Sequence, residues 1–441
     1  MQNNHNLQAT SSLDEWLSYL ENSHFKSIDL GLERITAVAK ELDILNPAPF
    51  VITVGGTNGK GTTCRLLETI LINSGLRVGV YSSPHLLRYN ERVRIQNQDL
   101  PDDSHTQSFA YIEQHKKESL TYFEFSTLSA LYLFKQANLD VVILEVGLGG
   151  RLDATNIVDS DIAVITSIDI DHVDFLGSTR EQIGFEKAGI FRTNKPVIIG
   201  EPDIPYSILA HAEKLHCQLS CRDRDWFYSA EHNRWHWHNQ NRNFENLPIC
   251  SIPIQNAATA LAVVQYLPFV ISEEIIRKSL QEVELTGRFQ TIKVEHLQPI
   301  ASLINRPIEE LPRIIIDVGH NPHAARYLAS KLIEIKSKNS QKITAVCGVL
   351  KDKDADGVLL PLLSIIDRWH CVTLEGPRGQ SGQDLFAKLQ QLADKNQLAI
   401  DGKGNSSIES GIKEAISETN KNDIVLIFGS FVTVTGFLEL L

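Results

Sequence analysis

Cysteine, long apolar runs and net positive charge are all scarce in this chain of 441 residues. Only six cysteines occur, none in a C-x-x-C pair, so free thiols are a better interpretation than a disulfide framework. No run approaches the roughly 18 consecutive apolar residues that a membrane helix needs. The opening stretch MQNNHNLQATSSLDEWLSYL lacks the basic and apolar regions of a signal peptide. The sequence therefore predicts a cytoplasmic protein without a membrane partner.

The charge balance limits the partners further. The formal net charge is −12, which argues against nucleic-acid binding through a broad basic surface but leaves room for one local phosphate pocket. Hydrophobic residues make up 42% and charged residues 22%, as is typical of globular proteins. The length predicts two or three domains.

Short β-branched runs alternate with helical patterns from residue 49 onward. The runs are FVITV, RVGVYSS, DVVILEV, DIAVITSI and PVIIG. Because they are apolar almost throughout, they are typical of strands buried on both faces of a parallel sheet. The pattern restarts with RIIIDVG, KITAVCGV, RWHCVTLEG and DIVLIFGS. This alternation predicts an α/β fold with two doubly wound domains.

The boundary between the two domains is expected at LTGRFQ, where Gly287 interrupts a helical stretch. We therefore predict domains at residues 1–286 and 287–441, the second being the smaller. A polar and aromatic segment near 217–250 is predicted to form a small antiparallel insertion on the first domain. Within it, His236 and His238 share one strand face, but no third residue has the spacing of a zinc ligand, so an exposed surface is expected.

The stretch VITVGGTNGKGTT lies between the first strand and a helix. Its glycines allow the backbone to curl so that several N–H groups point at one phosphate, and the new helix adds its own unpaired N–H groups. Lys60 would contact the β and γ phosphates, while Thr62 or Thr63 would supply a hydroxyl. The alternative is a tight strand-to-helix turn with an exposed lysine. The loop predicts a nucleoside triphosphate site.

Polar residues also follow the next strands. Ser82 and Ser83 end the second strand, where ligands collect in open α/β sheets, although they could simply cap the next helix. Glu145 interrupts the apolar third strand, which is costly unless the carboxylate binds a cation. A magnesium ligand is the favoured role for Glu145, with a buried ion pair to Arg151 as the alternative.

His172 follows the fourth strand, among Asp169, Asp171 and Asp174. Lone histidines are usually structural, but this one falls at the same predicted sheet edge as Lys60. Lys187 has no comparable signal, and its default interpretation is a surface lysine on a short helix.

The segments GTNGKGTT, YSSPHLLRYNERV, LEVGLGGRLDATN, DHVDFLG, EKAGIF, GRFQ and DVGHNPHA occur in this order. Together they resemble the folylpolyglutamate synthase family of the Mur-ligase superfamily, from about residue 12 to the C-terminus. The short phosphate loop is similar to the G-T-x-G-K-[GST] loop of that superfamily. The resemblance implies an N-terminal P-loop ATPase-type domain and a C-terminal Rossmann-like domain.

The resemblance also implies an activity: ATP-dependent addition of L-glutamate to 7,8-dihydropteroate and to reduced folates, through an acyl phosphate. A monofunctional folylpolyglutamate synthase without dihydrofolate synthase activity is the alternative within the class. A nucleotide-binding regulatory protein without turnover is the alternative outside it. A peptidoglycan ligase usually needs a separate N-terminal domain, and only about 48 residues precede the first strand, too few for one. A monomer is expected.

Site residues follow from the resemblance by position. The ATP-binding residues would be Thr57, Asn58, Gly59, Lys60, Gly61, Thr62, Asn256, Arg288, Asp317 and His320. The pteroate-binding residues would be Asp29, Leu30, Gly31, Leu32, Thr121, Tyr122, Phe123, Glu124, Leu152, Asp153 and Ala154. The residues with catalytic roles would be Lys60, His172 and Lys187.

Two magnesium sites are implied as well. Ser83 and Glu145 would bind the first ion, and Glu145 with His172 the second. Lys187 matches a lysine that forms a carbamate, which turns a cation into an anionic oxygen ligand. The resemblance further implies a site formed between the domains and closed to water during turnover. Two departures are Gly319 in place of the usual alanine and Val432 in place of a histidine.

Overall fold

A computed structural model describes residues 7–26, 28–231, 233–338 and 340–441. The chain divides into two compact units, Met1–Glu284 and Leu285–Leu441. In the described residues no helix is both long and apolar enough to span a bilayer. All six cysteines are free thiols.

The first unit is built on a mostly parallel sheet. Its strands are β1 (Phe50–Gly55), β2 (Val78–Tyr81), β3 (Val93–Ile95), β4 (Gln98–Asp99), β5 (Val141–Glu145), β6 (Ile162–Ile165), β7 (Pro196–Ile199) and β8 (Gln218–Cys221). Among the described residues their order across the sheet is β4-β3-β2-β5-β1-β6-β7-β8. Strands β3 and β4 are antiparallel to their neighbours, and the other pairings are parallel.

Helices cover both faces of this sheet. They are α1 (Leu13–Asn22), α2 (Glu33–Glu41), α3 (Lys60–Asn73), α4 (Asp102–His115), α5 (Tyr122–Gln136), α6 (Val173–Leu176), α7 (Arg180–Ala188), α8 (Tyr206–Lys214), α9 (Ile254–Val264) and α10 (Glu273–Glu282). Alternate residues of β1 face opposite cores: Ile52 and Val54 pack with α3, α9 and α10, whereas Val51 packs with α1, α2, α4 and α5. The predicted doubly wound sheet is confirmed for this unit.

The segment near 217–250 differs in part from the prediction. Strands β9 (Trp226–Glu231), β10 (Arg234–Asn239) and β11 (Asn243–Pro248) form a separate antiparallel sheet. Residues 218–221, at the start of the predicted insertion, instead form β8, which pairs in parallel with β7 of the main sheet. The insertion is also anchored rather than merely exposed, because Trp237 is fully buried and its Nε1 donates to the Ala258 carbonyl of α9 at 3.1 Å.

The second unit has its own parallel sheet, with one antiparallel edge strand. Its strands are β12 (Gln290–Thr291), β13 (Arg313–Asp317), β14 (Ile343–Cys347), β15 (Arg368–Val372), β16 (Gly402–Asn405) and β17 (Ile424–Phe428). Their order in the described part of this unit is β12-β13-β17-β14-β15-β16. Its helices are α11 (Gln298–Leu303), α12 (Pro322–Lys338), α13 (Ala355–Leu359), α14 (Gly382–Lys395), α15 (Ile408–Glu418) and α16 (Phe431–Leu438). The predicted second α/β domain is confirmed as a fold.

Candidate active site

Parallel register places several polar residues at one edge of the first sheet. Val54 of β1 lies opposite Glu145 of β5 on one side and opposite Val164 of β6 on the other. The chain leaves all three strands at this level, so the phosphate loop, Glu145 and the loop after β6 share the carboxyl edge of the sheet. Ligands of open α/β folds bind at such edges.

The loop after β1 has the backbone of an anion cradle. Gly59 immediately precedes α3 and has a φ of 86°, in the left-handed region that favours glycine. Its side of the loop is also crowded, since a Cβ at Gly59 would lie 2.5 Å from Oδ1 of Asn256. Helix α3 therefore follows a residue whose conformation and crowding favour glycine. The first N–H groups of a helix have no partner within the helix and can bind an anion.

Lys60 folds back over this loop. Its Nζ donates to the carbonyl oxygens of Gly56 and Thr57, at 3.1 and 3.4 Å. Within the described part of the chain no carboxylate pairs with this ammonium group. A half-buried cation held only by carbonyl oxygens above a glycine-rich loop is suited to a phosphate, and the alternative of an exposed lysine on a simple turn does not describe it.

The loop after β6 fixes the shape of the phosphate loop. Thr166 Oγ1 and Ser167 Oγ donate to the Asn58 carbonyl at 2.6 and 3.0 Å. Thr57 N donates to the Ser167 carbonyl at 2.8 Å, and Thr57 Oγ1 bonds with the backbone of Asp169. Several hydrogen bonds therefore join the phosphate loop to the loop after β6. Thr166 and Ser167 were not predicted as site residues, although hydroxyls directly after a buried strand are a signal that could have indicated them.

Asn256 of α9 completes the loop from the other side. Its Nδ2 donates to Thr62 Oγ1 at 2.7 Å, and its side chain is buried against Gly59. Two residues predicted from the resemblance, Asn256 and Thr62, are therefore in direct contact across 194 positions of sequence.

Glu145 and Ser83 meet at the ends of β5 and β2. The Glu145 side chain is only 6% exposed, and its Oε2 accepts from the Ser83 backbone N–H at 3.3 Å. Glu145 and Lys60 have opposite effects on Cys64: burial raises the pKa of this thiol well above its ordinary value, Glu145 raises it further and Lys60 lowers it. A buried carboxylate beside a serine is suited to a hard cation that bridges to phosphate.

Both alternatives for these residues prove wrong. Arg151 pairs with Glu186 at 2.8 Å and also packs on the Phe185 ring, so it is not the counter-ion of Glu145. Ser82 and Ser83 do not cap a helix, because the next helical residues form a single turn beginning at Tyr89.

Lys187 is not the surface lysine that its sequence context suggested. It lies near the end of α7, is 4% exposed, and makes no ion pair or hydrogen bond with any residue that the structure describes. Burial lowers the pKa of its ammonium group from 10.5 to about 7, and the charge of Lys60 lowers it further, against the pull of Asp171 and Asp153. Near neutral pH, the Lys187 amine is therefore neutral and nucleophilic in a large fraction of the protein molecules.

His172 begins the short helix α6 in a left-handed conformation with a φ of 51°. Its Nε2 lies 4.0 Å from Oδ1 of Asp171, and its backbone N–H donates to the same carboxylate at 2.8 Å. Asp171 is also a neighbour of Lys187, as its effect on the lysine's pKa indicates. Lys60, Lys187, Asp171 and Glu145 thus belong to one electrostatic neighbourhood, with His172 at its margin.

An arginine joins two of the three predicted pteroate segments, and the second of them packs on the loop that carries the third. Arg34 bridges Asp29 in the first segment and Glu124 in the second, at 2.7 and 3.1 Å. Phe123 packs so closely on the loop after β5 that a Cβ at Gly147 would lie 2.6 Å from its ring. Asp153 in that loop accepts from the backbone N–H groups of residues 147, 148 and 155, and burial raises the pKa of its carboxyl. Asp153 therefore shapes the loop.

The second unit gathers the remaining predicted ATP residues around one ring. Arg288 lies over the Phe431 ring at 5.6 Å, and the His320 ring lies 5.9 Å from it. Asp317 accepts from the N–H groups of Phe289 and Gly319 at 2.9 and 2.7 Å, while burial raises the pKa of its carboxyl. Phe431 was not predicted as a site residue, although it follows the glycine and serine that come directly after β17.

The two departures from the family pattern have different surroundings. A Cβ at Gly319 would lie 2.7 Å from Asp317 Oδ1, so glycine fits the position better than alanine in this structure. Val432 is 43% exposed and has no polar contact in the described part of the second unit.

No three His, Cys, Asp or Glu side chains lie together as a ready-made metal site among the described residues. The donors at the sheet edge nevertheless fit a hard divalent cation, because the buried Glu145 carboxylate lies beside Ser83 there.

Comparison with known proteins identifies the family. The model for the Mur ligase middle domain matches residues 54–256, and the model for the Mur ligase glutamate ligase domain matches residues 304–431. The chain is 66% identical over 435 residues to the dihydrofolate synthase/folylpolyglutamate synthase of Haemophilus influenzae, covering 99% of each protein. It is 50% identical over 435 residues to the Escherichia coli protein of the same name, covering 98% of this chain and 96% of that protein.

Solved structures agree with these matches. E. coli FolC in complex with DHPP and ADP superposes with a TM-score of 0.90 at 50% identity, covering 98% of each chain. The bifunctional folylpolyglutamate synthase/dihydrofolate synthase of Yersinia pestis, with AMPPNP and a Mn ion, superposes with a TM-score of 0.87 at 51% identity and the same coverage. The phosphate loop, the two α/β units and these matches all agree. The chain belongs to the dihydrofolate synthase/folylpolyglutamate synthase family of the Mur ligases.

Proposed function

We propose that the protein is a bifunctional, ATP-dependent amide ligase that adds L-glutamate to 7,8-dihydropteroate and to reduced folates. The observation that carries this proposal is the phosphate loop, in which an unpaired Lys60 lies over a cradle already shaped by the loop after β6. Relatives with both activities in their names match the chain almost end to end, which supports the bifunctional enzyme over the monofunctional alternative.

The chemistry begins with a poor electrophile. A carboxylate repels nucleophiles, so its oxygen first attacks the γ-phosphorus of ATP and ADP leaves, giving an acyl phosphate. The amino nitrogen of L-glutamate then attacks the carbonyl carbon, phosphate leaves with the former carboxylate oxygen, and an amide remains with release of a proton. Both steps need cations around the phosphoryl group and protection from water.

Residues of this chain supply part of that environment. Lys60 and the N–H groups at the start of α3 would bind the β and γ phosphates, and Asn256 would hold Thr62 in place. Arg288, Asp317 and His320 would contact the nucleotide, with Phe431 supporting Arg288 and His320. The predicted pteroate segments would bind the acceptor.

Magnesium is the natural divalent ion for these donors, with Ser83 and Glu145 as ligands of one ion and Glu145 and His172 of a second. When bound, it would neutralise charge on the phosphates. The presence of Mn with AMPPNP in a relative supports a divalent cation with the nucleotide.

A carbamate on Lys187 would provide a further anionic ligand. The buried, unpaired amine with a pKa of about 7 supports this, because only the neutral amine attacks carbon dioxide. The carbamate has a specific test: ¹³C-bicarbonate should give a carbamate NMR signal in the wild-type protein and none in Lys187→Met. Cytoplasmic location and a monomeric state stay predictions.

The activity itself is tested with purified protein. Dihydropteroate, ATP, magnesium and L-glutamate should yield dihydrofolate and ADP in equal amounts, and a reduced folate should yield its longer glutamate form. Turnover of the reduced folate alone would support the monofunctional enzyme. If no ADP is released with dihydropteroate or with a reduced folate, both ligase hypotheses are contradicted.

A further inference from the structure

One arginine joins two of the three predicted pteroate segments. Arg34 lies in the first turn of α2, and its Nη1 is 2.7 Å from Oδ2 of Asp29. Its Nη2 donates to the Asp29 carbonyl oxygen at 3.2 Å and to Oε1 of Glu124 at 3.1 Å. One planar guanidinium group therefore binds both the side chain and the backbone of one segment and a carboxylate of the other.

The two carboxylates differ in how firmly they are fixed. Glu124 is 4% exposed, and its Oε2 accepts from the Thr121 N–H at 2.8 Å, which closes a capping box at the start of α5. Its position is thus set by the helix. Asp29, in contrast, lies in an irregular segment between α1 and α2, so its position depends on side-chain contacts.

The segment that carries Asp29 is attached to α5 mainly through such contacts. His24 Nδ1 lies 3.1 Å from Ser119 Oγ, and Ser23 Oγ donates to the Leu120 carbonyl at 3.3 Å. These bonds reach only the connection before α5. The Arg34 bridge reaches the helix itself, at the residues predicted to bind the acceptor.

The same segment exposes apolar side chains. Phe25 is 82% exposed and Leu30 is 40% exposed. Apolar side chains beside the predicted acceptor residues are suited to contact a flat, partly apolar ligand such as a pteroate.

We propose that Arg34 is a positioning residue that holds Asp29 in place relative to Glu124 in the predicted pteroate site. This inference rests on the proposed function and names a residue that acts on the acceptor through its neighbours. Arg34 holds the segment that carries Asp29 against the N-terminus of α5. A lysine cannot replace it fully, because an ammonium group lacks the fork that reaches both carboxylates.

Three variants test the bridge: Arg34→Ala, Arg34→Lys and Glu124→Gln. The matched control is Lys117→Ala, since Lys117 forms an exposed 2.7 Å ion pair with Glu41 of the same helix α2. Each protein is examined by its KM for dihydropteroate, its KM for ATP, its melting temperature, and equilibrium binding of dihydropteroate without ATP, followed by pterin fluorescence.

Arg34→Ala should raise both the KM and the Kd for dihydropteroate about tenfold or more, while its KM for ATP stays within about twofold of the wild type. Arg34→Lys and Glu124→Gln, which preserve most of the side-chain volume, should give intermediate increases, and Lys117→Ala should match the wild type. If Arg34→Ala does not fold, the two conservative variants carry the test.

A lower melting temperature with an unchanged KM and Kd for dihydropteroate in all three variants would overturn the bridge, because that pattern is purely structural. An equal rise in both KM values would also overturn it. Failure of the proposed function looks different: the wild type itself would then bind no dihydropteroate and form no dihydrofolate, which refutes both proposals.

Discussion

At the residue scale, the site depends on two lysines whose surroundings differ. Lys60 is half-buried and held by carbonyl oxygens, whereas Lys187 is buried and unpaired among the described residues. The sequence indicated Lys60 directly, because its glycine-rich neighbours are local. Lys187 was indicated only by resemblance, since burial produced by distant residues leaves no local pattern.

Replacement of Lys60 should affect turnover and stability to different extents. Lys60→Ala should reduce turnover about 10³-fold, because it removes a cation aimed at the transferred phosphoryl group. The free energy of unfolding should change by less than about 1 kcal/mol, since the lost contacts are two hydrogen bonds to carbonyl oxygens that water can replace. Initial rates of ADP release and urea denaturation measure the two effects, and near-normal turnover would refute the phosphate role.

The buried amine of Lys187 predicts a pH dependence of stability. Its pKa falls from 10.5 in the unfolded chain to about 7 in the folded protein, so between these values the unfolded chain binds more protons. The free energy of unfolding of the wild type should therefore rise with pH above 7 relative to Lys187→Met, by up to about 1.4 kcal/mol per pH unit. Below pH 7 the difference between the two proteins should be constant.

Urea denaturation at pH 6, 7, 8 and 9, in buffers free of metal and carbon dioxide, provides the measurement. Parallel curves for the two proteins across this range would mean that Lys187 titrates as an ordinary lysine. In that case the neutral amine required for the carbamate would be missing near neutral pH.

At the element scale, helix α3 is fixed by a buried ionic contact as well as by its apolar face. Glu68 is fully buried, and its carboxylate pairs with Arg65 at 2.9 Å and with Arg94 of β3 at 3.1 Å. Arg94 also donates to Ser82 Oγ at 3.0 Å. The helix that begins at the phosphate loop is thereby connected to the turn that carries Ser83.

Glu68→Gln should be strongly destabilising. It leaves two arginines without their shared counter-charge in a buried place, which costs about 3 kcal/mol or more of the free energy of unfolding. Glu41→Gln is the matched control, because its ion pair with Lys117 is exposed and should contribute less than about 1 kcal/mol. Equal small losses in both variants, measured by urea denaturation, would show that the Glu68 network does not stabilise α3.

Predicted strands are richer in apolar residues than the strands that sequence patterns missed. Apolar runs such as FVITV and DIVLIFGS became central strands, as expected from burial on both faces. Strand β8 was assigned to the insertion because QLSC has few apolar residues, and β3 was missed because Arg94 interrupts it. The charge of Arg94 is paired with Glu68, and a contact 26 positions away has no signature in a local pattern.

At the scale of the whole molecule, sequence order allowed the two α/β units and the carboxyl edge of the first sheet to be predicted. Contacts across long separations could not be predicted in this way, for example the Arg34 bridge, whose partner Glu124 is 90 positions away. The resemblance predicted Arg288, Asp317 and His320 as site residues. It did not predict Phe431, the ring that Arg288 and His320 both contact.

The second unit should contribute to nucleotide binding. Arg288→Ala should raise the KM for ATP about tenfold, because it removes a charged hydrogen-bond donor to an anionic ligand. Its KM for dihydropteroate should stay within about twofold of the wild type. Lys293→Ala, which changes a basic residue near Arg288 in sequence, is the control. An unchanged KM for ATP in Arg288→Ala would remove this residue from the nucleotide site.

The proposed reaction requires that a carboxylate is activated by transfer of the γ-phosphoryl group before the amide forms. Dihydropteroate labelled with ¹⁸O in its carboxylate tests it, because the bridging oxygen must leave with phosphate. For each dihydrofolate formed, one labelled oxygen should appear in inorganic phosphate by mass spectrometry. Dihydrofolate formation with unlabelled phosphate would contradict the account.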